Sequence, residues 1–252
     1  MLNWSEIDTV LLDMDGTLLD LAFDRHFWLE HVPEQLSQQR GITRAEAEAI
    51  IAEKYQAVAH TLNWYCLDYW AEALALDIRA MTWAMRSRIA LRDDTLPFLQ
   101  ALRRAGKSTI LLTNAHPYNL DVKLAQTGLA PHLDLLLSTH TFGYPKEDQR
   151  LWQAVQQQTG FSAPRTLFID DSEVILDAAT TWGIGECLGV KNPDSGRPEQ
   201  IFQRHRATGD YRTLIWVRSS NEEREKQRRG TPRQVAVGRA LLQNPGNCAG
   251  DD

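Results

Sequence analysis

Two aspartates separated by one residue follow an apolar run near the start of the chain. Residues 9–12 precede the pentapeptide Asp-Met-Asp-Gly-Thr, whose acidic residues are Asp13 and Asp15. Two carboxylates on a chain that turns away from a strand can divide the roles of nucleophile and general acid/base. The adjacent Gly16 permits such a turn. A capped strand end would contain the same residue types, so this pattern predicts catalysis only in combination with other elements.

Two more apolar runs end in polar residues that suit anions or cations. Residues 109–112 precede Thr113 and Asn114, whose hydroxyl, amide and backbone N–H groups predict an anion site, although a helix N-cap has the same residues. Residues 166–169 precede Asp170 and Asp171, which would repel each other unless a cation lay between them. Mg²⁺ is the expected cation, because it accepts a few carboxylates and keeps water and phosphate oxygens as its other ligands.

A lysine precedes the helix predicted through residue 158. Lys146 lies in the segment Gly-Tyr-Pro-Lys-Glu-Asp. There its ammonium group would neutralise both a nucleophilic aspartate and a phosphate. A lone lysine at the start of a helix is more often a solvated surface residue, so both interpretations remain open at this point.

The elements that must position these side chains are strands of one sheet. The three apolar runs predict buried parallel strands, and residues 133–137 predict a weaker fourth. Ligands of open α/β sheets lie beyond the carboxyl ends of the strands, so the polar residues are expected to converge there. From residue 18 to about residue 92 the pattern is helical, with a capping box at Thr43 and Glu46. The sequence therefore predicts a parallel-sheet core that a helical insertion divides.

Length, composition and charge limit the class of protein. The chain has 252 residues, of which 43% are hydrophobic, so it can bury a substantial core. A net charge of −6 argues against nucleic acid or an anionic membrane surface as a partner. The three cysteines form no CxxC pair, and no segment resembles a leader peptide or a membrane span. We expect a cytoplasmic protein that acts on small molecules, and the sequence leaves its oligomeric state open.

The composition changes near the C-terminus. Residues 218–252 contain seven basic and five acidic residues and end in a segment rich in Gly, Asn and Pro. Apolar periodicity fades there, which is typical of disorder. We predict that residues 218–252 are a disordered tail or are not native coding sequence. RNA binding through the basic residues of this tail is a remote alternative function.

The polar elements occur together in one order that resembles the signature of the haloacid dehalogenase superfamily, over about residues 7–215. This resemblance implies an α/β fold with a Rossmannoid parallel-sheet core, residues 1–19 and 93–217, and an all-helical type-1 cap, residues 20–92. In this interpretation Asp13 attacks phosphorus, and Asp15 protonates the leaving group and then activates water. Lys146 balances charge, although many relatives have a proline directly after this lysine, where this chain has Glu147.

The resemblance also implies binding groups for phosphate and metal. Thr113 and Asn114 would bind the phosphate. Mg²⁺ would be the cofactor, with Mn²⁺ or another divalent ion as a substitute. An acid at position 15 is typical of phosphatases and phosphomutases, whereas the dehalogenases do not need one. The implied metal ligands are Asp13, the main-chain carbonyl of Asp15, Asp170 and Asp171.

The resemblance extends to the substrate. Stretches such as HTLNWYCLDYW and LLTNAHPYNL are similar to bacterial purine 5'-nucleotide phosphatases of this superfamily. This similarity implies removal of the 5'-phosphate from GMP or IMP, with FMN and other small phosphomonoesters as further substrates. Trp64 and Tyr65, in the aromatic-rich insertion, are the candidates for selecting the base by stacking, and packing inside the cap is the alternative role. A phosphosugar phosphatase or a phosphomutase is the alternative function.

Overall fold

The core of the protein is a parallel six-stranded sheet with the strand order β3-β2-β1-β4-β5-β6. The computed structural model describes residues 2–214, so the predicted tail at 218–252 lies outside the described residues. This sheet confirms the predicted fold class. The strands are β1 (Thr9–Leu12), β2 (Ser108–Thr113), β3 (Leu135–Ser138), β4 (Thr166–Asp170), β5 (Glu186–Val190) and β6 (Arg206–Thr208).

The central strand β1 is flanked by β2 and β4, and all four of its residues are buried. Strands with both faces covered are near-continuous apolar runs, which is why the sequence revealed these three. β5 and β6 were not predicted. β5 begins with Glu186 and Cys187, and β6 has three residues and begins with the exposed Arg206. Neither strand presents a run of apolar residues long enough to be recognised.

Between β1 and β2 the described chain is helical and adds no strand to the sheet. The predicted capping box at Thr43 and Glu46 opens the third helix. The predicted helical pattern is interrupted at Cys66, where a 3-10 turn gives way to an α-helix. The cap boundaries, residues 20–92, stay a prediction. The helices here are α1 (Ala22–His26), a π-helical turn (Phe27–His31), α2 (Val32–Arg40), α3 (Arg44–Val58), α4 (Leu67–Leu74) and α5 (Ile78–Met85).

Four further helices cover both faces of the sheet. Side chains alternate along β1, so Val10 and Leu12 lie on one face of the sheet and Leu11 lies on the other. The first face packs against α6 and α7, and the second packs against α8 and α9. None of the helices in the described residues is long and apolar enough to cross a membrane. These helices are α6 (Thr95–Arg104), α7 (Pro117–Thr127), α8 (Gln149–Thr159) and α9 (Glu173–Trp182).

The last described residues support the loop that follows β1. The Tyr211 hydroxyl donates a hydrogen bond to the Thr17 carbonyl oxygen at 2.7 Å. Tyr211 is completely buried, and its ring stacks on Phe98 at a centroid distance of 4.8 Å. Its backbone N–H donates to the carboxylate of Asp94. The C-terminal part of the fold therefore holds the Asp-Met-Asp-Gly-Thr loop in place.

We predict that Tyr211→Phe lowers the free energy of unfolding by about 1–3 kcal/mol, because the buried Thr17 carbonyl would lose its hydrogen bond. Chemical denaturation of wild type and variant measures this loss. Tyr118→Phe is the matched control, since the partly exposed Tyr118 hydroxyl donates to the Arg79 carbonyl oxygen at 3.2 Å and water can replace that bond. Equal losses in the two variants would contradict the support role of Tyr211.

Candidate active site

The predicted polar residues meet at the carboxyl edge of the three central strands. Asp13 directly follows β1, Thr113 ends β2 and Asp170 ends β4. Because β2 and β4 flank β1, these side chains are brought to one place, as the sequence predicted. All three are buried, with exposed fractions of 5% or less.

Lys146 lies at the centre of this group. Its Nζ is 2.6 Å from Asp13 Oδ1 and 2.7 Å from Asp170 Oδ2. With 1% of its surface exposed, Lys146 is not the solvated surface residue that a lone lysine usually is. Two carboxylate partners offset the cost of burying the ammonium group. Burial alone would lower the pKa of Lys146, but Asp13 and Asp170 outweigh burial and raise it, so the lysine stays charged.

The loop that carries Lys146 is fixed by hydrogen bonds. The backbone N–H of Lys146 donates to Asn114 Oδ1 at 2.9 Å, and the Lys146 carbonyl oxygen accepts from Trp152 Nε1 at 2.8 Å. Asn114 Nδ2 donates to Glu147 Oε2 at 3.1 Å, so this amide links two positions of the loop. Thr113 Oγ1 accepts from the N–H of Ala115. The phosphate-binding roles of Thr113 and Asn114 stay predictions.

Three carboxylates form a group suited to a metal ion. Oxygen atoms of Asp13, Asp170 and Asp171 all lie within 4.8 Å of one another. Hard divalent cations bind such oxygen ligands, so the residues fit the ion that the sequence implied. Burial, followed by repulsion from Asp170 and Asp13, raises the pKa of Asp171 well above its usual value. A cation would relieve that repulsion. The fourth predicted ligand, the Asp15 main-chain carbonyl, stays a prediction.

The glycine after Asp15 is required by close contact as well as by its backbone conformation. Gly16 has φ of +85°, and a Cβ atom built there would lie 2.6 Å from Asp171 Oδ2. A larger residue would therefore displace a carboxylate of the metal-suited group. This tolerance of a positive φ and a tight approach is the property that glycine supplies.

The Asp15 carboxylate contacts a second buried lysine. Asp15 Oδ1 accepts a hydrogen bond of 2.7 Å from Lys123 Nζ, and Asp24 Oδ1 accepts another of 2.7 Å from the same atom. Sequence reasoning missed Lys123 and Asp24. The available signal was the pattern of α7, in which Leu120 and Val122 are also buried and Lys123 falls on the covered side.

A cavity of about 290 Å³ opens above these residues. Its polar floor includes the predicted catalytic and metal-suited aspartates and Lys146. Its opposite wall comes from the helical insertion, and both predicted substrate-selection residues belong to it. The insertion contributes Leu21, Asp24, Trp28, Tyr55, Trp64, Tyr65, Leu67 and Trp70.

The two predicted selection residues have different surroundings. Trp64 Nε1 donates to the Tyr55 hydroxyl at 2.6 Å, and their rings meet edge to face at a centroid distance of 4.6 Å. The Tyr65 hydroxyl donates instead to Glu147 Oε1 at 2.8 Å. Glu147 thus joins the insertion to the Lys146 loop. Roles for Trp64 and Tyr65 in substrate selection stay predictions.

The fold and this arrangement of residues define a class of enzyme. The family model of haloacid dehalogenase-like hydrolases matches residues 7–181. The chain belongs to this hydrolase family, as the sequence motifs predicted. The GMP/IMP nucleotidase YrfG of Escherichia coli (strain K12) is 65% identical over 212 residues, which are 84% of this chain and 96% of that protein.

Two further matches are more distant in sequence. A phosphoserine phosphatase of Thermus thermophilus is 28% identical over 204 residues, covering 65% of this chain and 80% of that protein. The crystal structure of a haloacid dehalogenase-family phosphatase from Thermococcus onnurineus superposes with a TM-score of 0.68. It is 20% identical and covers 82% of this chain and 96% of its own, so it shows the fold alone.

The raised pKa values of the buried carboxyl groups predict that the stability of the protein depends on pH. Burial, with a smaller contribution from Asp170 and against the attraction of Lys146, raises the pKa of Asp13 from 3.8 to about 7. The folded state therefore holds a proton at Asp13 that the unfolded chain releases, and the contribution of Asp13 to stability falls as pH rises from 3.8 through about 7. Burial raises the pKa of Asp170 and Asp171 too, which adds to the same trend.

We expect the contribution of Asp13 to the melting temperature, measured by circular dichroism in a chelating buffer, to decrease across this pH range. Asp13→Asn should weaken the decrease and be more stable than wild type at the alkaline end, because the amide resembles the protonated acid. An unchanged pH dependence in Asp13→Asn would mean that Asp13 does not contribute to this trend.

Proposed function

We propose that the enzyme hydrolyses the 5'-phosphate of purine nucleotides, with GMP and IMP as substrates. The observation that carries the proposal is the buried group of Asp13, Lys146, Asp170 and Asp171 beneath an aromatic-walled cavity. Support for the purine nucleotide comes from the 65% identity to a GMP/IMP nucleotidase along 96% of that protein. FMN and other small phosphomonoesters are further candidate substrates.

The proposed reaction has two steps at phosphorus. One carboxylate oxygen of Asp13 accepts a hydrogen bond from Lys146. The other oxygen forms a bond to phosphorus while the phosphoester P–O bond breaks. Asp15 donates a proton to the departing nucleoside oxygen. In the second step Asp15 accepts a proton from water, whose oxygen attacks phosphorus and breaks the bond to Asp13. Inorganic phosphate is released and both aspartates are restored.

Charge balance is the main requirement of this site, because a phosphate must approach buried carboxylates. Lys146 supplies one positive charge. A divalent cation, proposed to be Mg²⁺ or alternatively Mn²⁺, would bind through Asp13, Asp170, Asp171 and the Asp15 carbonyl and would stabilise negative charge on the phosphate. The proposed residues 20–92 would act as the cap, since side chains of this insertion line the cavity.

Other assignments remain distinguishable from this one. A phosphosugar phosphatase or a phosphomutase would use the same two aspartates, and a mutase would return a phosphorylated product instead of free phosphate. The RNA-binding alternative depends on residues outside the described part of the chain. The cytoplasmic location expected from the sequence also stays a prediction.

Phosphate release from a panel of nucleotides, FMN and sugar phosphates, with product analysis, tests the substrate class.

We predict that Asp13→Asn reduces phosphate release from GMP to background, because an amide cannot attack phosphorus. A chelator should also stop the wild-type reaction, and added Mg²⁺ should restore it. Asp121→Asn on α7 is the control variant, since that carboxylate is exposed and lies outside the cavity. Appreciable turnover by Asp13→Asn would disprove the nucleophile, and chelator-insensitive turnover would disprove the metal.

We predict that Trp64→Ala raises KM for GMP at least about tenfold, because stacking of an aromatic ring on a base is worth roughly 1–3 kcal/mol. KM for a small phosphate ester without a base should change little. Trp83→Ala is the matched control, since Trp83 is 49% exposed and does not line the cavity. Equal loss on both substrates would indicate damage to the packing of the insertion instead of a base contact.

A further inference from the structure

A carboxylate from the helical insertion faces the cavity beside the proposed acid/base. Asp24 lies on α1, lines the cavity and has 18% of its side chain exposed. Its Oδ1 and Asp15 Oδ1 both accept hydrogen bonds of 2.7 Å from Lys123 Nζ. The two carboxylates are therefore neighbours that share one ammonium group. Asp24 Oδ2 accepts no hydrogen bond from another side chain of the described residues, so one oxygen remains for a ligand.

A second acceptor lies one helical turn from Lys123. Asn119 is on α7, four residues before Lys123, which places both side chains on the same side of the helix. Asn119 lines the cavity and is 9% exposed. Its Oδ1 is buried without a hydrogen-bond partner. An orphaned acceptor is costly in a folded protein and needs an explanation, such as a ligand that donates to it.

The atoms available in both groups, Asp24 Oδ2 and Asn119 Oδ1, are acceptors, which limits what they can bind. A phosphate is excluded, because it would meet the negative charge of Asp24. A bare aromatic base is better served by the rings of Trp28 and Trp64 on the wall of the insertion. Hydroxyl groups are donors that suit both a carboxylate oxygen and an amide oxygen. A vicinal diol offers two such donors, and Asn119 can turn its amide toward the cavity because its terminal torsion is soft.

We propose that Asp24 and Asn119 bind the 2'- and 3'-hydroxyl groups of the substrate's ribose. The proposal rests on the proposed nucleotidase function and adds a preference for ribose over deoxyribose. When the 5'-oxygen lies at Asp15 to receive its proton, the ribose ring follows directly along the substrate. Asp24, linked to Asp15 through one ammonium group, lies within reach of that ring. Both residues are substrate-binding groups and take no part in bond breaking.

The test compares GMP with 2',3'-dideoxyguanosine 5'-monophosphate in wild type, Asp24→Asn, Asn119→Ala and the control Asp121→Asn. Wild type and control should prefer GMP by about tenfold or more in kcat/KM, because tenfold corresponds to about 1.4 kcal/mol, the scale of one hydrogen bond to a charged group. Each of the other two variants should lose most of that preference, mainly through KM for GMP. Calorimetry with guanosine and its dideoxy analogue should show the same pattern without any reaction.

A loss of activity caused by a disturbed Asp15 or Lys123 would affect both nucleotides equally. The ratio of kcat/KM for GMP to kcat/KM for the dideoxy nucleotide therefore reports the hydroxyl contacts alone. Asn119→Ala leaves the ion pairs of Lys123 intact and tests the site independently of them. An unchanged preference in both variants, or none in wild type, would overturn the proposal. If GMP is not hydrolysed at all, the proposed nucleotidase function fails. A wild-type preference for ribose 5-phosphate over 2-deoxyribose 5-phosphate that Asp24→Asn abolishes would then still support the hydroxyl site, and its absence would overturn it.

Discussion

The buried contact of Lys146 with Asp13 and Asp170 is the interaction on which the rest of the site depends. Removing charges from water is costly, and the attraction between them offsets that cost only when their positions are well defined. Two neighbouring parallel strands supply the carboxylates from rigid positions. Asn114 and Trp152 fix the lysine loop against them. The sheet therefore holds in place the charged group of Lys146, Asp13 and Asp170, which would otherwise be unstable.

Carboxyl groups outnumber the one ammonium group of Lys146 here, and these oxygen ligands suit the group to a divalent cation. Asp171 adds a third carboxylate whose ionisation burial and its neighbours oppose. A divalent cation would complete the balance, and a phosphate could then approach the floor of the cavity. Gly16 shows how closely the loop and the carboxylates are packed, since a single added carbon would contact Asp171. The proposed site would therefore accept an anion only together with a cation.

The helical insertion is connected to the core through polar contacts as well as apolar packing. Tyr65 donates a hydrogen bond to Glu147 beside Lys146, and Asp24 accepts one from Lys123 beside Asp15. Asp68 on α4 also lies 3.4 Å from His116 Nε2 at the start of α7. These contacts join the wall of the cavity to the residues that would carry out the reaction. A change in the position of the insertion would therefore alter the surroundings of Lys146 and Asp15 directly.

The amino-acid sequence alone was enough to predict the fold class, the three central strands and the polar residues that end them, because buried parallel strands have continuous apolar runs. Family motifs added the predicted roles of Asp13, Asp15 and Lys146. The three-dimensional structure was needed to show that Lys146 is buried and that Lys123, Asp24 and Glu147 adjoin the site. The residues in each of those contacts are separated in the chain by between 24 and 133 positions. No local sequence pattern indicates which distant charges will be neighbours. Burial and pairing of charge depend on the whole fold, whereas strand formation depends mostly on local sequence.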